Sequence, residues 1–377
     1  MVTPPRRFRR LPDSAPSSLP RLGISLSFQC RPDLDEGYEQ AWKESLELAV
    51  EAERLGVEEI WFPEHHGEED GYNPSPVVAA AAVAAVTSRV RLCGGIALAP
   101  LQGHPLRMAE DLAVVDNLSG GRVELGFGQG YRREEFEAFG LDFDRRTRAL
   151  REALDVIDLA WGGERFDYDG QLCQVRGGLL RPVPVQPGPP PLWLGAAAPR
   201  SRARAVRRGA GLVVAPLTEA VHTARQFEAF DGVAEEVGAD ALPHALMREI
   251  EVGDSDEEAL AHVQPYLDHV YRVQYAPERT GLTRVDPGTG ERRQLTSQDP
   301  YYLSPEFVGE RWAIGSAETC AGLVSGWLDR MRLDRLVFQP KMPGRPLADA
   351  VRAVERVTTE LWPRLRELRG LRSVSSA

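Results

Sequence analysis

Hydrophobic positions along the chain switch repeatedly between two periods. Residues 22–29 read as a buried strand, with Leu22, Ile24, Leu26 and Phe28 at every second position, whereas 36–55 carry Trp42, Leu46, Ala49 and Ala52 at helical spacing before Gly56 ends the helix. The same exchange recurs as strand 57–62, helix 75–86, strand 90–98, helix 105–118, strand 122–127 and helix 147–161. A repeat of roughly 30 residues fits parallel strands joined by crossover helices.

The alternation pauses at 166–175, which reads as a short hairpin, and at 181–191, a proline-rich connector that cannot be helical. It resumes as strand 192–195, helix 201–208, strand 212–215, helix 219–237, strand 246–252 and helix 256–273. Residues 274–311, rich in Tyr, Pro, Gly, Thr and Arg, have no clear period; a loop of that length inside a domain is usually functional or disordered. Helix 317–331, strand 335–339 and a last helix with Leu347, Val351, Val354, Val357 and Leu361 on one face complete the chain. Eight such units predict an α/β fold, a closed (β/α)8 TIM barrel with insertions, over an open sheet whose edges would need protection. The barrel is expected over 22–368, between tails at 1–21 and 369–377, with its chemistry at the C-terminal strand ends.

Composition narrows the partners. With 377 residues, 42% hydrophobic and 27% charged, the chain has a globular composition. Its net charge of −11 disfavours nucleic acid and anionic membranes. No run of about 18 apolar residues is present to span a bilayer. Cys30, Cys93, Cys173 and Cys320 are far apart and form no C-x-x-C pair, which fits a reducing cytoplasm better than a disulfide framework or zinc knuckle. Residues 1–21 carry Arg6, Arg7, Arg9, Arg10 and Arg21 against Asp13 without the apolar stretch of a signal peptide, and read as a disordered, solvated basic tail.

Five strand ends carry candidate chemistry. The first ends at Phe28, an aromatic placed to line a substrate pocket or simply to pack. The second ends in Trp61-Phe62-Pro63-Glu64-His65-His66; successive strand side chains alternate, so at most one histidine faces a central ligand. A metal needs three or more convergent ligands, H-E-x-x-H spacing is absent, and no metal is expected. The third strand holds Gly94-Gly95, either a bulge or a place where a flat ligand comes close. The fourth runs Gly126-Phe127-Gly128-Gln129-Gly130; Tyr131 and two arginines follow where a dinucleotide fingerprint would open its helix with a third glycine. The fifth passes through Gly195, Ala196, Ala197, Ala198, Pro199 and Arg200 to Ser201, which either caps a helix or joins its free amides in holding a phosphate. Arg107, Glu110 and Asp111 share a helix face as ion pairs.

Together these segments resemble the bacterial luciferase-like flavin-dependent monooxygenase family. The matches are W-F-P-E-H-H at 61–66, H-P-L-R-M-A-E-D-L-A-V-V-D-N-L-S-G-G-R at 104–122 and G-F-G-Q-G-Y-R-R-E-E-F-E-A-F-G at 126–140, with A-R-A-V-R-R-G at 203–209 and W-A-I-G-S-A-E-T-C at 312–320. The resemblance implies a barrel that holds a reduced flavin at its mouth. His65 matches the family histidine beside the flavin ring, Gly94-Gly95 the site of a non-proline cis peptide, and Ser201 a phosphate-binding hydroxyl; Gln129 stands where many members have arginine. Gly94, Gly95, Gly128, Gln129, Gly195, Ala197, Ala198, Arg200 and Ser201 are therefore the expected cofactor contacts, with His65 as acid/base and Phe28 toward substrate.

The implied activity is insertion of one atom of O2 into a small organic substrate, using reduced FMN from a separate NAD(P)H:flavin reductase, by a cytoplasmic homodimer. Hydride transfer with the deazaflavin F420 is the alternative, and a non-catalytic flavin-binding member is another. Residues 274–311 are expected to form a lid, with Tyr275, Tyr301, Tyr302 and Phe307 to cover an apolar ligand and Gly281, Gly288 and Gly290 to permit motion.

Overall fold

A computed structural model describes residues 19–196, 198–285 and 291–371. Its central sheet has eight parallel strands: β1 (Arg21–Ser25), β2 (Glu59–Phe62), β3 (Arg91–Gly94), β4 (Val123–Gly128), β5 (Leu192–Gly195), β6 (Gly211–Val214), β7 (His244–Met247) and β8 (Arg335–Phe338). The first strand pairs with the last through Arg21↔Arg335 to Ile24↔Phe338, and β3 joins β4 through Leu92↔Val123 and Cys93↔Glu124. The sheet therefore closes without an edge, as a (β/α)8 barrel.

Helices α1 (Tyr38–Arg54), α2 (Pro76–Val86), α3 (Pro105–Ser119), α4 (Arg133–Ala138), α5 (Arg146–Trp161), α6 (Pro199–Arg207), α7 (Ala220–Glu236) and α8 (Asp256–Val273) connect the strands up to the last crossover. In α1 the buried residues Ala41, Ser45, Leu48, Ala49 and Ala52 recur at three- and four-residue steps, so one stripe faces the sheet. On α3, Arg107 and Asp111 form the expected ion pair at 2.7 Å. The hairpin also forms, Phe166–Asp169 against Gln174–Gly178.

Inside the barrel Trp61, Cys93, Trp193, Val213, Ala245 and Val337 pack together. Beneath them Glu59 pairs with Arg335 and Glu124 with Arg91, while the Trp193 and Trp61 indoles donate to Glu124 (2.8 Å) and Glu59 (3.2 Å). The barrel is thus a filled core, and a ligand must bind above it, where the strands end.

Three expectations are corrected. The strand expected over 90–98 is two pieces: β3 stops at Gly94, the Gly95–Ile96 peptide is cis, and Ala97–Leu98 then pairs with Phe127 and Gly128. The cis bond thus lies one residue beyond Gly94-Gly95. The strand expected over 246–252 also divides: β7 ends at Met247, and Glu249–Gly253 pairs instead with Trp312–Ser316 in a separate two-stranded parallel sheet. Arg248 marks the division, because its buried guanidinium is fastened to the Thr218 carbonyl (2.8 Å) and the Thr223 hydroxyl (3.2 Å) outside the ladder.

The third correction concerns 274–311. This segment has its own architecture: α9 (Pro277–Thr280), an antiparallel ladder of Thr283–Val285 with Arg292–Gln294, and α10 (Pro305–Gly309). Leu295, Tyr301, Tyr302 and Phe307 are buried in a cluster with Tyr271 and Trp312. Helices α11 (Ala317–Arg330) and α12 (Leu347–Arg356) follow, the latter running through a π turn into Trp362–Leu368. The fold begins slightly before residue 22, with Leu19 buried, and Leu371 still touches the core. Of the tails expected at 1–21 and 369–377, residues 1–18 and 372–377 lie outside the described residues, as do Ala197, Gly288 and Gly290, while Arg21 already opens β1.

Candidate active site

The chain leaving β2 turns at Pro63 and sends its two histidines to different partners. His66 Nε2 meets Glu64 Oε1 at 2.6 Å, a carboxylate also held by the Leu98 amide and the Gln102 side chain, both at 2.7 Å. His65 is buried against the loop after β4. Its Nδ1 lies 2.8 Å from Glu135 Oε1, an oxygen that also accepts the His66 backbone N–H at 3.1 Å. A carboxylate only accepts, so Nδ1 carries the proton and Nε2 is left as an acceptor, 3.4 Å from the Tyr131 hydroxyl. Tyr72 and Tyr131 meet the imidazole edge-on, with centroids 4.9 and 5.7 Å away. Burial pushes the His65 pKa down and the Glu135 hydrogen bond pulls against it; the first prevails, so the ring is neutral at neutral pH.

Charged side chains brace this pair from behind. Arg132, fully buried, bonds Glu68 and the Gln274 carbonyl (3.3 Å), and Arg279 of α9 reaches the same Glu68 carboxylate. Asp70 accepts from Gln29 (2.6 Å) and Gln274 (3.2 Å), so the loop after β1 and the end of α8 meet here.

Across the mouth, Gln129, Gly195, Ser201 and Arg204 line one small cavity. Ser201 is not a helix cap: α6 starts at Pro199, Ala198 holds the cap position, and the Ser201 amide donates to the Ala198 carbonyl at 2.9 Å. Gln129 Oε1 accepts from the Thr147 hydroxyl at 2.6 Å. Burial lowers the Arg204 pKa, and Arg208, Arg151 and Arg207 press it in the same direction. Ala198 and Arg200 are exposed beside this cavity.

The glycines divide into two groups. A Cβ on Gly94 would lie 2.7 Å from the Gly126 nitrogen, on Gly95 2.7 Å from Trp61 Cβ, and on Gly128 2.7 Å from Ile96 Cγ2. Close packing of β3, β4 and Trp61 accounts for those three. At Gly195, by contrast, a Cβ would meet nothing within 4 Å, and the residue is exposed at its strand end. Phe28 takes the packing alternative in this structure: at φ 59° its ring stacks on Trp42 at 4.2 Å and is buried.

Glu135, Tyr131, Tyr72 and Arg204 were not singled out from sequence. Glu135 and Tyr131 lie within the 126–140 block, yet their contacts to His65 cross 70 and 66 residues and no local period reports them. Arg204 had a signal: it stands three residues after Ser201 on a helix, and so on the same face. Among the described residues no group of His, Cys, Asp and Glu is arranged to hold a metal.

The model of the luciferase-like monooxygenase family matches residues 21–331. The oxygenase component of a flavin-dependent trigonelline monooxygenase from Acinetobacter baylyi is 31% identical, covering 87% of this chain and 91% of that protein. An F420-dependent glucose-6-phosphate dehydrogenase from Kineococcus radiotolerans is 27% identical over 85% of this chain and 92% of that one. The chain spans about half (51%) of an uncharacterized Sinorhizobium fredii relative that it matches at 32% identity. Among solved structures, the monooxygenase RslO1 from Streptomyces bottropensis superposes with a TM-score of 0.78 at 24% identity, covering 91% of this chain and 99% of that one.

Proposed function

The chain belongs to the luciferase-like monooxygenase family, and from that premise we propose that it is an FMN-dependent monooxygenase that inserts one oxygen atom of O2 into a small organic substrate. The observation that carries the cofactor assignment is Arg204, half-buried among cations of its own sign beside the Ser201 hydroxyl and the Gln129 amide. Such a donor set is matched by a phosphate dianion, which would relieve the repulsion. Ser201, Arg204, Gln129 and Gly195 would hold the phosphate end, with Ala198 and Arg200 on its exposed side. Gly94, Gly95 and Gly128 would form the floor beneath the ring. When bound, reduced FMN supplies the electrons that activate O2.

The protein's own task is to bind, exclude water and move protons. His65 is the assigned acid/base, fixed in one tautomer by Glu135. The relative named as an oxygenase component supports a separate NAD(P)H:flavin reductase as partner. Four free cysteines accord with a cytoplasmic setting, and among the described residues no helix is long and apolar enough to cross a membrane. A homodimer completes the reading, and the exposed valines and leucine of α2 and α3 support those helices as the contact.

Calorimetry decides the cofactor. FMN is expected to bind, riboflavin to bind at least about tenfold more weakly, and Arg204→Gln to remove that difference; F420 binding tightly with FMN silent would overturn the assignment. F420-dependent hydride transfer is the second reading. It is favoured by Gln129 in the place of an arginine and by the dehydrogenase relative.

A further inference from the structure

We propose that Tyr131 is the mouth-facing end of a proton relay, Glu135–His65–Tyr131, and that His65 exchanges protons with a bound ligand through the Tyr131 hydroxyl. This deepens the reading above, because it names the group through which His65 works.

Both imidazole nitrogens are already engaged. Nδ1 donates to Glu135 at 2.8 Å, and Nε2 faces the Tyr131 hydroxyl at 3.4 Å, a separation of the kind that tightens in ligand complexes. Neither nitrogen is left free to meet a ligand directly. Exposure divides the same way: His65 is 9% exposed, whereas Tyr131, on the loop that follows β4, is 47% exposed. Gly130 (φ +78°) sets the direction of that loop, and a Cβ there would strike the Phe136 ring at 2.7 Å, so the position of Tyr131 is built in.

The surrounding charges suit a phenol that passes protons. Burial raises the pKa of the Tyr131 hydroxyl and holds it protonated, while Arg132, 5.7 Å from the ring centre, pulls the other way and favours negative charge on the oxygen. Glu135 from α4 stabilises positive charge on the imidazole. Glu68 and Tyr72 face the pair from the loop after β2, and Arg279 and Tyr275 from the segment after α8. As a base, Tyr131 Oη takes a proton from the ligand while its own proton passes to His65 Nε2, giving an imidazolium beside the Glu135 carboxylate. As an acid the two transfers reverse. Each direction moves one proton in and one out at Oη, with no change in electron count.

Tyr131→Phe keeps the ring and removes only the hydroxyl. In the cofactor-free protein, nitrogen-15 NMR of His65 should show Nε2 moving downfield in this variant, as an acceptor that has lost its donor, with Nδ1 still protonated. An unmoved Nε2 resonance would overturn the relay. In the FMN-loaded protein, stopped-flow reoxidation by O2 should slow by about 100-fold in Tyr131→Phe with FMN affinity retained. His65→Ala should slow it similarly, and the double variant should be no slower than either alone, because both act on one path. Additive losses, or an unslowed Tyr131→Phe, would equally overturn it. If no flavin binds at all, the cofactor reading fails and the NMR result alone decides the relay.

Discussion

Arg279 closes on Glu68 with two guanidinium nitrogens, Nη1 at 3.0 Å and Nη2 at 2.5 Å, and so fastens α9 to the loop that carries His65. The segment expected as a lid is therefore attached at its base to the site it would cover. Its aromatic residues have a second task, since Tyr302 and Phe307 are buried in a cluster of their own. A deletion of all of 274–311 is expected to destabilise the protein by removing that cluster. Excising only residues 283–294, which include the short ladder, should leave it folded. In a reductase-coupled assay this shorter variant should release more hydrogen peroxide per NAD(P)H consumed, and Arg279→Ala should become more sensitive to protease between 274 and 311 unless FMN is present. Unchanged coupling and unchanged proteolysis would leave the segment as an insertion without a covering role.

The barrel was legible because its signal is local: periods of two and 3.6 residues report burial on one strand or helix at a time. What escaped was set by contacts between distant residues. Gly94 and Gly95 read either as a bulge or as a place for a flat ligand, and the atoms that exclude a side chain there, on Gly126 and Trp61, are not neighbours in sequence. Phe28 read either as a lining residue or as packing, and neither its positive φ nor the stacking partner Trp42, fourteen residues away, shows in a strand pattern. His65 and Ser201 were legible as positions at strand ends, but the Glu135 and Tyr131 side chains that meet His65 are brought in by tertiary folding, whereas Arg204, on the same helix face as Ser201, was within reach of local spacing.

The two groups of glycines should respond oppositely to one added methyl. Gly94→Ala places Cβ 2.7 Å from the Gly126 nitrogen and 2.8 Å from its oxygen, both backbone atoms that cannot turn aside. It is expected to cost about 1–3 kcal/mol or more by overpacking, read as a lower midpoint in urea. Gly195→Ala meets open space, so its midpoint should stay within about 0.5 kcal/mol of the parent while FMN binds more weakly. Equal destabilisation by both would mean that Gly195 is also a packing residue.

Glu53 gives the fold a dependence on acid. Burial pushes its carboxyl up, but the amides of Val90 (2.9 Å), Arg89 (2.6 Å) and Ser88 (3.0 Å) pull it down to about 2. A folded-state pKa below the unfolded value of about 4.3 adds stability that is complete above that value and disappears as pH falls toward 2. The side chain is only partly buried, and solvent screening limits the contribution to on the order of 1 kcal/mol. Thermal unfolding from pH 6 to pH 3 should therefore fall less steeply for Glu53→Gln than for the parent, with the variant already less stable at pH 6. Parallel curves would show that Glu53 is not among the groups responsible.

Helix α2, Pro76–Val86, has the sequence PVVAAAAVAAV and no polar side chain on any face. A helix apolar all round is ordinarily buried on all sides. Here Val78 is 62% exposed, and Leu118 on the adjoining α3 is 57% exposed, with Val86 and Val114 also open to solvent. A second copy presenting the same two helices would cover this face in an isologous contact, which two-fold symmetry makes self-complementary. Each buried valine or leucine would then contribute roughly 1.5–3 kcal/mol if fully covered. Val78→Glu combined with Leu118→Glu places four like charges in such an interface while altering no buried residue of the barrel. Light scattering after size exclusion should give the mass of a dimer for the parent, about twice 41.7 kDa, and that of a monomer for the variant, with the circular dichroism of the two unchanged. A parent that elutes as a monomer, or a variant that remains dimeric, would show that this face is not where two copies meet.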